Sequence, residues 1–207
     1  MGNDNQGIKS KEKLILDTLE KYVESYIKPY KEEIPRGWSK LQGDISLKIV
    51  RDFINRDLVN TDLEVSECNS FIEGYSTEFD LLIVKKESKP KPHSNIYNPN
   101  DVKTIIEVKT SGIYASKENI KDFIINMKTK ALNVKNKYSY INYVYLTLKE
   151  RASISTRTGN STAMDYFAET KNNFSPFETF CLSDLKPDSF RSNHSDGKWD
   201  NFIKAIQ

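Results

Sequence analysis

Two short apolar runs with charged ends limit what this chain can fold into more than anything else in it: Asp80-Leu81-Leu82-Ile83-Val84 and Ile105-Ile106-Glu107-Val108-Lys109. Strands project side chains alternately to two faces, so Glu107 and Lys109 share one face while Val108 turns to the other, into a core. An acid at the start of one such strand and an acid-lysine pair at the end of its neighbour outline a metal site. Two carboxylates and an ammonium group can hold Mg²⁺, position a water and offset the charge that develops when a phosphodiester bond breaks.

The two runs come together only if the chain between them turns back. From Lys85 to Asp101 it carries Pro90, Pro92, Pro99 and several lysines, too polar and proline-rich for a central strand, and reads as a long hairpin loop. Antiparallel pairing with Lys85 near Lys103 brings Asp80 opposite the segment from Glu107 to Lys109. Pairing with Glu107 or Lys109 assembles the three charged groups on one face, and pairing with Val108 separates them.

Around this pair the periodicity predicts a helix from about Lys11 to Lys28, ended by Pro29, then a connector containing Pro35, Gly37 and Gly43, and a second helix capped by Ser46 that carries Leu47, Val50, Phe53, Ile54 and Leu58. Strands are expected near Leu63 to Phe71 and Glu78 to Val84, with Gly74 between them. Ser116 is expected to cap a helix with Ile120, Phe123, Ile124, Met127 and Ala131 on its apolar side, and Ile141 to Leu148 reads as the next strand. A basic Ser/Thr loop (Arg151 to Thr162), a helix (Ala163 to Lys171), a strand (Phe177 to Leu182) and a closing helix anchored by Trp199, Phe202 and Ile203 complete the pattern. A chain of 207 residues suits one domain: a core over about 46–148, an N-terminal helix over about 11–28 and a C-terminal extension over about 151–207.

Composition excludes some classes. No stretch is apolar and long enough to span a bilayer, and the first residues lack the pattern of a secretory signal, so the cytoplasm is the expected location. Cys68 and Cys181 are too few for a disulfide framework or a zinc site and read as buried thiols. The net charge of +2 does not by itself indicate nucleic-acid binding. The distribution of charge says more: lysines gather at 85, 86, 89 and 91 and at 128, 130, 135 and 137, near the proposed site in sequence.

An acid two residues before a lysine occurs six times, at 87, 101, 107, 169, 184 and 196, and only Glu107 lies in an apolar strand with an acid-bearing partner strand upstream. In this context the segments Glu78-Phe79-Asp80-Leu81-Leu82-Ile83-Val84 and Ile105-Ile106-Glu107-Val108-Lys109-Thr110-Ser111 resemble the PD-(D/E)xK nuclease superfamily, over about Leu63 to Leu148. Phe79 stands where the motif has its proline. The resemblance implies an α/β restriction endonuclease-like fold: a mixed central sheet flanked by helices, in the order helix-strand-strand-strand-helix-strand. It implies that Asp80 and Glu107 are metal ligands, that Lys109 orients or activates water and offsets transition-state charge, and that Mg²⁺ is the cofactor, with Mn²⁺ able to substitute. Metal-dependent hydrolysis of DNA in restriction, phage defence or mobile-element biology follows from the same resemblance. A non-catalytic nucleic-acid- or protein-binding module of that fold is the alternative, and a purely structural charged strand pair is a third reading.

Secondary candidates follow. Glu78, two residues before Asp80, is a further carboxylate for the shell, and the resemblance implies an acid from the first helix of the core, for which Glu20 or Glu24 of the first helix or Asp52 of the second are candidates. Thr110 and Ser111 are placed to contact phosphate, and Arg151, Arg157 and the lysines suit the DNA backbone. Tyr97 is a stacking or wedging group in the 85–101 loop, the expected DNA-facing element. His93 and His194 read as solvated loop residues. Cleavage of both strands would call for two copies, so a homodimer is expected on functional grounds.

Overall fold

The computed structural model describes residues 10–33, 37–111, 117–149, 178–182, 184–185, 192–193 and 198–207. Helix α1 (Lys11–Tyr22) starts at Ser10, whose hydroxyl accepts the Lys13 amide N–H at 3.3 Å, and buries Ile15, Leu16 and Leu19. The helical path continues beyond Tyr22 as a π turn (Val23–Ile27) and a 3₁₀ turn (Lys28–Tyr30) that contains Pro29. The expected extent is right, but the regular helix stops earlier than the proline.

Helix α2 (Trp38–Asp57) begins well before Ser46, the expected cap. Ser46 lies inside it and donates its hydroxyl to the Gln42 carbonyl at 2.7 Å. Gly43, which suggested a connector, sits within the helix with open space where a Cβ would project, a placement that costs about 1 kcal/mol in propensity and nothing in packing.

The main sheet has five strands in the order β1 (Leu63–Val65), β4 (Leu81–Lys85), β6 (Val102–Ser111), β7 (Asn142–Lys149), β8 (Glu178–Cys181). Pairs β1·β4 and β4·β6 are antiparallel, while β6·β7 and β7·β8 are parallel. Helix α3 (Lys117–Lys137) provides the crossover from β6 to β7 that a parallel pair requires. A smaller sheet orders β3 (Glu78–Phe79), β2 (Ser70–Ile72) and β5 (Ile96–Tyr97), and β9 (Asp184–Leu185) pairs with β10 (Ser192–Asn193). Helix α4 (Lys198–Ile206) closes the described chain.

Alternation along the central strands divides the core. Leu81, Ile83, Ile106, Val108, Val144 and Leu146 pack with α1, α2 and α4 on one face. Leu82, Val84, Ile105, Tyr143 and Tyr145 pack on the other with Met127, Ala131 and Val134 of α3 and with the small sheet. Burial on both faces explains why the strands read as continuous apolar runs.

Two expected strands are each divided. The segment from Leu63 to Phe71 separates into β1 and β2, with Asn69 at φ 60° between them. The segment from Glu78 to Val84 breaks at Asp80, so β3 joins the small sheet and β4 the large one. Gly74, at φ 76°, turns the chain from β2 toward β3, a conformation that L-residues with a Cβ rarely adopt. The 85–101 hairpin is more structured than expected, because β5 pairs parallel to β2, with Phe71 opposite Ile96 and Ile72 opposite Tyr97.

Strand β8 joins the large sheet and α4 joins the core on one of its faces. Strand β8 adds to β7, and Trp199 of α4, fully buried, donates its backbone N–H to the buried Glu12 carboxylate at 2.7 Å and its indole N–H to Asp57 at 2.5 Å. The expected Ser116 cap, the 151–162 loop with Arg151 and Arg157, the 163–171 helix and His194 lie outside the described residues.

Candidate active site

Register decides whether the charged groups meet. Leu81 pairs with Ile106 and Leu82 with Ile105, so one step beyond the ladder Asp80 faces Glu107. A bulge between Ile83 and Val84 shifts the pairing to Val84 opposite Val102, leaving Lys103 as the extra residue. Lys85 therefore approaches Asp101, at 3.7 Å, rather than Lys103.

At Asp80 the backbone bends away from the large sheet, and its carboxylate Oδ2 takes over as acceptor for the Val108 N–H at 2.7 Å. That bond fixes the side chain against the end of β6. Lys109 Nζ lies 3.7 Å from Asp80 Oδ2 and 3.8 Å from Glu107 Oε2, so one ammonium group bridges the two carboxylates. Asp80, Glu107 and Lys109 thus converge on the face that α3 covers.

Glu107 is 4% exposed, an unusual position for a carboxylate. Its Oε1 accepts the Tyr143 hydroxyl at 3.0 Å and lies 3.7 Å from Lys130 Nζ on α3. Burial, then the neighbouring Asp80 charge, pushes its carboxyl above the usual glutamate range, against the opposing pull of Lys130 and Lys109. Burial also pushes the Tyr143 phenol far up, with Glu107 adding to it, so Tyr143 acts here as a hydrogen-bond donor.

Tyr143 and Lys130 complete the surroundings of Glu107, and sequence reading did not single them out for this place. Tyr143 was a strand-forming tyrosine and Lys130 one of a cluster of lysines. Their roles depend on the β6·β7 register, which sets Ile105 beside Tyr143 and Glu107 beside Tyr145, and on the rotation of α3. The available signal was that a tyrosine in an inner strand needs a partner for its hydroxyl.

An open cleft of about 420 Å³ adjoins Asp80, Val108, Lys109 and Thr110 and is walled by the first turns of α2, including Lys40 and Asp44. Thr110 reaches this wall and donates its hydroxyl to Ser46 at 2.9 Å. The helix acid at the cleft is Asp44. Glu20 is exposed on α1, Glu24 is paired with Lys28 at 2.7 Å, and Asp52 lines a different groove, beside Tyr22, Tyr26 and Arg56. Glu78 does not keep the face of Asp80, because the bend at Asp80 interrupts the alternation and leaves Glu78 exposed in the small sheet.

Tyr97 is 6% exposed and packs in the core beside Ile72 and Phe79, which removes it as a stacking group. His93 is an exposed loop residue at φ 58°. In the first lysine cluster, Lys85 donates to the Asn100 carbonyl, Lys86 to the Val59 carbonyl and Lys91 to Glu73, so much of that charge is engaged within the protein. Cys68 is half-buried with a free thiol.

The donor set fits a hard divalent cation. Among the described residues no group of three or more His, Cys, Asp or Glu side chains gathers, and Asp80 with Glu107 supplies two carboxylates on one face. Mg²⁺ accepts such sparse protein ligation because it keeps several waters and takes substrate oxygens.

Solved structures that match nearly the whole chain include two cAAA-bound forms of NucC. One is the cAAA-bound form of NucC from P. aeruginosa ATCC27853, at 12% identity and TM-score 0.55, covering 97% of this chain and 92% of that one. The other is the cAAA-bound form of NucC from E. coli MS115-1, at 13% identity and TM-score 0.53, covering 99% and 93%. The chain has the restriction endonuclease-like fold. At such identity the likeness is one of fold, and neither a family profile nor a curated protein matches the sequence. The restriction endonuclease-like fold here spans α1 to α4, beyond the segment in which the sequence resemblance lay.

Proposed function

We propose that this chain is a metal-dependent nuclease that hydrolyses phosphodiester bonds in DNA and serves in phage defence. The observation that carries the reading is the bridging of Asp80 and Glu107 by Lys109 beside an open cleft, on a restriction endonuclease-like backbone shared with NucC.

In this reading Asp80 and Glu107 hold Mg²⁺, with Mn²⁺ able to substitute, and the bound cation would polarise phosphate and lower the cost of forming hydroxide from water. Asp80 is kept in place by the Val108 N–H, and Glu107 by the Tyr143 hydroxyl. Lys109, between the carboxylates, orients the attacking water and offsets negative charge on the phosphoryl oxygens. The α2 wall of the cleft, with Lys40, is the side from which the nucleic-acid backbone would approach.

The test is incubation of the purified protein with supercoiled plasmid, linear duplex, single-stranded DNA and RNA, in Mg²⁺, Mn²⁺ or chelator, beside Lys109→Ala. Cutting of DNA that requires the metal and drops by at least about 100-fold in the variant is expected. DNA binding without cutting in any metal would instead favour the non-catalytic module.

A further inference from the structure

Lys130 adds a contact that the three-residue constellation leaves out. It projects from α3, half-exposed at 47%, to within 3.7 Å of Oε1 of Glu107, whose own side chain is 5% exposed. Lys109 approaches the other oxygen, Oε2, so Glu107 lies between two ammonium groups on two different elements. A solvated lysine would gain more hydration by pointing outward. Holding it over a buried carboxylate that Lys109 alone shares is favourable while no divalent cation neutralises that group.

We propose that Lys130 is a second catalytic lysine, which neutralises Glu107 in the metal-free protein and contacts the scissile phosphodiester when substrate is bound. The inference rests on the nuclease reading above and names a substrate contact within it. Charge balance supports it. Asp80 and Glu107 carry two negative charges and Lys109 and Lys130 two positive ones, so the site is neutral before anything binds. A divalent cation leaves two positive charges in excess. Hydrolysis joins the water oxygen to phosphorus and breaks the ester P–O bond; one water proton ends on the leaving oxygen and the other stays with the new phosphate monoester. Halfway through, with hydroxide added to a phosphodiester, the phosphoryl group bears two negative charges, which two lysines and a divalent cation on two carboxylates balance. Without Lys130 one of those charges is uncompensated.

The test compares the full-length protein with Lys130→Gln, Lys130→Arg and Asp80→Asn, by calorimetric titration with Mn²⁺ in the absence of nucleic acid and by plasmid-cleavage kinetics. Lys130→Gln is expected to bind Mn²⁺ about threefold to tenfold tighter, because a like charge has left the site, and to lose about 10- to 100-fold in kcat with little change in KM. Lys130→Arg, which keeps the charge and guards against a folding artefact, is expected to recover most of both. Unchanged or weaker Mn²⁺ binding by Lys130→Gln, an unchanged kcat, or a loss confined to KM would each overturn the assignment and reduce Lys130 to a surface contact. If Asp80→Asn cuts as well as the wild type, or the wild type binds no Mn²⁺, the metal-nuclease reading itself falls and Lys130 with it. A dead Asp80→Asn beside a normal Lys130→Gln removes Lys130 alone.

Discussion

Glu107 shows what a buried carboxyl costs in stability. Its carboxyl holds a proton to higher pH in the folded chain than the usual value near 4.5, chiefly because it is buried. Below that value both folded and unfolded chains carry the proton and the residue is neutral in the balance. As pH rises through and above 4.5 the unfolded chain ionises first, so the folded state loses relative stability until Glu107 ionises too. Glu107→Gln is therefore expected to melt at higher temperature than the wild type at pH 7 in chelator, with the advantage vanishing as pH falls below 4.5. Paired thermal melts across pH check this, and an equal or lower Tm for the variant at pH 7 would contradict it. Removing the Tyr143 hydroxyl is a milder change. Tyr143→Phe should cost about 1–2 kcal/mol or less in stability, measured by denaturant unfolding, because one hydrogen bond to a partly neutralised acid is lost. Residue identity made Asp80, Glu107 and Lys109 visible in the sequence, since their alternation is set by the strand itself. Lys130, Tyr143 and Asp44 were not visible as neighbours, because their positions follow from a parallel register and two helix rotations that no local pattern encodes.

At the level of elements, what was legible depended on whether local pattern or tertiary pairing had the last word. Apolar periodicity placed α1, α3, β4, β6, β7 and α4 to within a few residues, because each has a face or a run committed to the core. It failed at Ser46 and Gly43, where packing of Leu47, Val50 and Ile54 holds a helix through residues that locally prefer caps and turns. It also failed at Asp80, where one strand by composition serves two sheets. That break is useful: a continuous strand would have satisfied Val108 through backbone, whereas the bend assigns the bond to the Asp80 carboxylate and anchors it. Helix α4 is the clearest test of an element. Its Trp199 packs edge-on to Phe53 and donates to both Glu12 and Asp57, joining α1, α2 and α4. Trp199→Ala is expected to destabilise the fold by about 3–5 kcal/mol, from the lost ring and the cavity it leaves. Urea unfolding monitored by circular dichroism measures this, and a loss under 1 kcal/mol would mean α4 is only loosely attached.

For the molecule as a whole, a net charge of +2 offers little long-range attraction to DNA, so the DNA binding we propose would rest on local groups around the cleft such as Lys40 and Lys109. In the proposed function, affinity for duplex DNA is expected to fall only modestly with salt, with a log-log slope close to the small number of phosphates those lysines would neutralise. Among the described residues no helix is long and apolar enough to cross a membrane. If two copies act together on a duplex, as cleavage of both strands would call for, supercoiled plasmid should pass to linear product with little nicked intermediate, and sedimentation should give twice the chain mass. A nicked product accumulating first from a monomer would argue for one strand at a time.

Glu12 and Trp199 are separated by 187 positions, yet the buried acid depends on that partner. On a ribosome the carboxylate emerges well before its partner and must remain hydrated while the elements between them are translated. Its desolvation is deferred until the tryptophan arrives, so a nascent chain arrested before residue 199 lacks the acceptor's mate and is expected to stay sensitive to proteases.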